Sequence, residues 1–180
     1  MHHANPMATS KWALDPTHSE LQFKVKHLMI TTVTGRFDSF TAEVESDGDD
    51  FRNAKVHFAA QAASINTNNE QRDDHLRSAD FFEAEKFPSI AFECGHYDAA
   101  SGKMTGNLTM KGVSKPVVMD VEFSGTNKDP WGNQKAGFSL TGKINRTDWG
   151  LIWNAALETG GMLVSEDVRL SAEVQFVKQA

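Results

Sequence analysis

The sequence predicts an all-β protein, an antiparallel β-barrel of about eight strands with one or two short helices. Three observations lead there. Apolar and polar residues alternate with a period of two along most of the chain. The segments joining the alternating runs are short and rich in Gly, Asn, Asp and Ser, as antiparallel hairpins require and helical crossovers do not. A chain of 180 residues buries one real core, and its 39% apolar and 23% charged residues are ordinary for a single globular domain.

The elements follow in order. Residues 1–10, MHHANPMATS, are short and polar and read as a disordered N-terminal or cloning-derived segment, with Met7 a candidate native start; the barrel is expected over 11–180. Leu21, Phe23 and Val25 alternate with Gln22, Lys24 and Lys26. Val56 and Phe58 alternate with Lys55 and His57, after a turn at Asp47-Gly48-Asp49. The stretch Asn69 to Phe92 then breaks the pattern. Asn68 or Asn69 can cap a short helix whose first turn holds Glu70 and Asp73, and Asp80-Phe81-Phe82 ends it. Phe87-Pro88 forces extended backbone into a strand from Ser89 to His96.

After the turn Ala99-Ala100-Ser101-Gly102, one face carries Met104, Gly106, Leu108 and Met110. The next strand puts Val117, Met119, Val121 and Phe123 inward and is expected to turn at Gly125-Thr126-Asn127. Phe138, Leu140 and Ile144 share a face, and a last long strand carries Val164, Val168, Leu170, Ala172, Val174 and Phe176. Seven to nine strands with one apolar face each either stack as a sandwich or close; closure removes exposed edges and is the reading adopted.

Composition excludes several functions. A net charge of -6 with scattered basic residues disfavours nucleic acid. No run of about 18 apolar residues exists to cross a membrane as a helix. Cys94 is the single cysteine, so no internal disulfide forms, and its strand parity makes it a small core residue. His18, His27, His57, His75 and His96 show no metal-ligand spacing, and no serine lies in a GxSxG context. Neither a metal, a cofactor nor a catalytic residue is expected. Without an export signal in the sequence as given, the setting is read as cytoplasmic, or periplasmic where a signal has been removed. Twelve Phe and seven Met against one Tyr give inward faces with little to hydrogen-bond. Periodicity does not tell a filled barrel from a hollow one.

Several short motifs, in order, resemble the YceI-like family of polyisoprenoid-binding proteins. They begin with Trp12, Asp15 and His18-Ser19, then Gly35-Arg36-Phe37. Arg72-Asp73, His75-Leu76, Ser78, Asp80-Phe81-Phe82 and Phe87-Pro88 follow. Gly106-Asn107-Leu108-Thr109, Arg146 with Asp148, and Glu166-Asp167-Val168 complete a match from Trp12 to about Val177. The resemblance implies a lipocalin-like barrel with an elongated apolar cavity. It also implies carriage or storage of a long-chain isoprenoid, isoprenoid quinone or related lipid without catalysis, and homodimers as in many members. The alternatives are binding of a fatty acid or fatty amide, or an isomerase or cyclase acting on an apolar substrate in the same cavity. The side chains expected to touch a tail are Phe23, Val25, Phe37, Phe40, Phe92 and Leu108, together with Met110, Met119, Val121, Phe138, Leu140 and Trp153. Arg36 is the candidate for a polar head group, or else it pairs with an acid such as Asp80 or Asp148. His75 is expected to tie the helix to the rim, and the apolar connection Trp149 to Ala156 is expected to lid the cavity.

Overall fold

A sheet with one apolar face, and too little helix to cover it, buries that face by rolling onto itself. The computed structural model of the chain describes residues 9–28, 30–48, 51–155 and 163–179. Its strands are β1 (Thr9–Leu14), β2 (Glu20–His27), β3 (Thr31–Phe37), β4 (Phe40–Asp47), β5 (Arg52–Gln61), β6 (Ile65–Asn66), β7 (Ser89–Asp98), β8 (Lys103–Met110), β9 (Val113–Lys128), β10 (Gln134–Asn145) and β11 (Asp167–Lys178). These segments form eight long strands, because β1 runs on into β2, β3 into β4 and β5 into β6. Both β1 and β2 lie along β11, both β3 and β4 lie along that first long strand, and β6 and β5 follow β3 and β4. The order continues through β7, β8, β9 and β10 to β11, and β1 against β11 closes the barrel with Trp12 opposite Lys178.

Each interruption has a chemical cause. Between β1 and β2, Asp15 caps a 3-10 turn at Pro16–His18 by accepting the Thr17 N–H at 3.0 Å and the Thr17 hydroxyl at 2.7 Å. The β8–β9 hairpin turns on Lys111 and Gly112, both at positive φ, the two-residue turn whose twist matches the strands. The single α-helix among the described residues, α1 (Glu70–Arg77), is capped by Asn69, whose side chain accepts the Arg72 N–H at 2.9 Å.

Three boundaries and one side chain differ from expectation. Strand β1 begins at Thr9 with Ser10 buried, two residues inside the expected leader. Gly125 does not turn the chain: at φ +110° it sits beside a bulge where the β9–β10 register slips, and the turn falls at Asp129–Asn133. There Asp129 accepts the N–H groups of Trp131 and Asn133, both at 2.9 Å. Strand β11 begins at Asp167; Val164 makes only an isolated antiparallel bridge to His27 of β2, and the Val164 and Ser165 carbonyls accept from the Arg146 guanidinium. Phe123 packs on Phe51 and Phe138 at the plugged end but stays half exposed.

The core is in two parts. A cluster of Trp12, Phe51, Phe138 and Phe176 plugs one end, with Phe51 reaching in from the β4–β5 connection to within 5.0 Å of Trp12 and 4.9 Å of Phe138. A larger cluster lies toward α1 and includes Ile90, Phe92, Met104, Leu108, Met110 and Trp149.

Candidate functional site

Between the two clusters the barrel is hollow. A cavity of about 380 Å³ runs along its interior. Three inward glycines help to keep it open. Where Gly35 stands, a β-carbon would come within 2.6–2.7 Å of two ring carbons of Phe23. At Gly106 it would meet the Glu93 carbonyl oxygen and come within 2.7 Å of Phe92 Cζ, and at Gly142 it would meet the Met119 thioether. These large side chains therefore lie flat against bare backbone across the ladder rather than projecting into the lumen.

Twelve of the side chains read from the sequence face this cavity. Phe23, Val25, Phe37, Phe40, Phe92 and Leu108 are on its wall. So are Met110, Met119, Val121, Phe138, Leu140 and Trp153. Arg36 is not. Strand alternation puts Gly35 and Phe37 inside and turns Arg36 out, where its Nε donates to Asp38 at 2.7 Å and its side chain is 47% exposed. The head-group role for Arg36 is corrected accordingly, and its acid is Asp38 rather than Asp80 or Asp148. Asp38 is held below the usual carboxylate range first by the Asn66 amide and then by Arg36.

The end of the cavity under α1 is aromatic with a few cationic groups. The His75 ring stands edge-on to Trp153 at 4.6 Å and to Phe81 at 5.2 Å, and its Nε2 lies 2.9 Å from Asp80. His75 thus ties α1 to the turn that follows it, through an acid five residues on and not through Asp73 or Asp74. Asp73 is buried and accepts both the N–H and the hydroxyl of Thr67, at 2.9 and 2.5 Å. Arg72 donates to the Thr67 hydroxyl at 2.8 Å and to the Thr67 carbonyl at 2.7 Å, which fixes α1 over the opening.

Arg146 is the residue that pattern reading missed. It is 4% exposed, faces the cavity, and donates to the carbonyls of Leu151, Trp153, Ser165 and Val164. Burial pulls its pKa below the usual arginine value, and Glu166 acts in the opposite direction. Four carbonyls on one guanidinium hold the segment after Trp149 against the start of β11. Leu151 is buried and Trp153 faces the lumen, whereas Ile152 between them is exposed. The described part of the expected lid, up to Ala155, therefore does cover the cavity; Ala156 lies outside the described residues. Arg72 and Thr67 were also missed as wall residues, since both sit outside the alternating strands. Cys94 is buried in the core as expected.

A family model described as a YceI-like domain matches residues 12–176. A UPF0312 protein of Staphylococcus aureus is 42% identical over 168 residues, covering 93% of this chain and 97% of that protein. The solved YCEI protein of Campylobacter jejuni is similar with a TM-score of 0.73 and 38% identity, over 86% of this chain and 90% of that one. A polyisoprenoid binding domain from Saccharophagus degradans has a TM-score of 0.64 over 93% of this chain and 98% of that one. Its identity is 16%, so that likeness shows a common fold alone.

Proposed function

The chain belongs to the YceI-like family, and on that premise we propose that its barrel binds one long lipid tail of isoprenoid type and carries or stores it without chemical change. The observation that carries this reading is the hollow, overwhelmingly apolar interior closed at one end by Phe51 and Trp12. A prenyl tail offers only apolar surface, and each buried methylene contributes about 0.8 kcal/mol. A handful of isoprene units therefore supports about micromolar binding or better once ordering costs are subtracted. The volume falls within the range of about 300–1,000 Å³ typical of small-molecule sites. Isoprenoid quinones belong to the same ligand class, and a fatty acid or fatty amide fits the same wall. A homodimer in solution is part of this proposal.

Native mass spectrometry of freshly purified protein, followed by solvent extraction, tests it. The expected result is a discrete extra mass of one isoprenoid or fatty chain per subunit. A clean apo mass that stays unchanged after addition of quinones, prenols and fatty acids would sink the carrier reading. Turnover of an added lipid would reassign His75 and Asp80 from rim contacts to an acid–base pair.

A further inference from the structure

The cavity wall carries two arginines, Arg72 and Arg146, and two histidines, His27 and His75, yet among the described residues no Asp or Glu lines it. In a chain whose net charge is -6, a lining with two arginines and no acid runs against the composition. Buried charges are ordinarily paired. Arg146 is nine-tenths buried and donates only to carbonyls, with Glu166 the acid that acts on it electrostatically; Arg72 shares the Thr67 hydroxyl with Asp73, and neither arginine forms a direct ion pair among the described residues. The carbonyls satisfy hydrogens without cancelling the charge. Arg72 and Arg146 belong to one end of the lumen: Arg72 precedes His75 by one helical turn, His75 packs on Phe81, and the Arg146 guanidinium stands 5.9 Å from the Phe81 ring centre.

Resting on the proposed tail-binding function, we infer that the preferred ligand carries an oxyanion, a carboxylate or a phosphate, and that this head group lies at the Arg72–Arg146 end of the cavity. The planar guanidinium is the side chain suited to both groups. In a low-dielectric interior an oxyanion gains more from the two guanidinium groups than a neutral head group does. The tail then runs down the apolar lumen toward Phe51.

The test holds the tail constant and changes the head. Binding of farnesol, farnesoic acid and farnesyl phosphate to delipidated protein is measured by tryptophan fluorescence and by native mass spectrometry. The parent is expected to bind the acid, the phosphate or both at least tenfold tighter than the alcohol. Which acid gains most identifies the source of the oxyanion. Arg72→Gln and Arg146→Gln are expected to weaken the acid and the phosphate at least tenfold more than they weaken farnesol, and Arg146→Lys to restore part of that preference. Equal binding of all three ligands by the parent overturns the head-group inference and leaves tail binding standing, a result that does not depend on whether the Arg146 variants fold. Binding of none of them overturns the tail-binding function as well.

Discussion

Gly35→Ala is the sharpest perturbation of the hollow interior. The added β-carbon would lie within 2.6–2.7 Å of two Phe23 ring carbons, where ordinary carbon contact is about 3.5–4.0 Å. The nearest ring atom, Phe23 Cζ, lies closer still, so relief needs more than about 1 Å of movement, and the ring is the part free to move. Phe37 holds one side of it at a centroid distance of 5.6 Å, so the ring must tip into the lumen or the β2–β3 pair must part. Overpacking of this kind costs about 1–3 kcal/mol. In a domain of this size that corresponds to a fall in Tm of about 2–12 °C. A tipped ring also shortens the cavity, so the variant is expected to prefer shorter prenols than the parent. Thermal unfolding with a chain-length series in native mass spectrometry reads both effects. Gly137→Ala is the control: its β-carbon would make only an ordinary 3.6 Å contact with Ser124, and the change is expected to be neutral or slightly stabilising. A Gly35→Ala protein with the parent's Tm and the parent's chain-length profile would refute the idea that a bare backbone seats Phe23.

Three further outcomes follow from the site. Asp73→Ala strips the Thr67 N–H and hydroxyl of their acceptor in a buried place and is expected to cost about 2–3 kcal/mol in denaturant unfolding, with α1 the first element to lose amide protection. Trp153→Ala removes a ring packed on His75 and Phe81 over the lumen and is expected to raise the lipid off-rate at least severalfold; a variant retaining lipid as long as the parent would mean that the segment is no lid. Asp15 is held down to about 2, from the usual 3.8, first by the Thr17 hydroxyl and then by His18. Its stabilising contribution, about 1–2 kcal/mol, is complete above about pH 4 and is lost as pH falls through about 2, and Asp15→Asn is expected to flatten that part of the stability profile.

Much of the barrel was legible because its strands are half buried. A residue such as Met104 or Leu108 must face in, and its neighbours Lys103 and Asn107 must face out, so period two reports the wall directly. The same rule applied to Gly35-Arg36-Phe37 turns Arg36 outward, because it stands between two residues of the inward face. Gly125 misled because a glycine serves a bulge as readily as a turn, and only the partner strand's register separates the two. Arg72 and Arg146 gave no periodic signal, since one lies on a short helix and the other in a 3-10 turn.

The sequence by itself determined which faces of the strands are apolar, where the helix is capped and, through its ordered motifs, the family. Alternation, capping and turn chemistry are local, and each is written in a few adjacent residues. Only the tertiary structure decided that the interior is hollow, that Phe51 plugs one end and that two arginines held by uncharged oxygens line the other. Those facts depend on distances across the barrel: a glycine opposite a phenylalanine, or a guanidinium among carbonyls from distant segments. Closure of the sheet, rather than any single stretch of chain, brings them together.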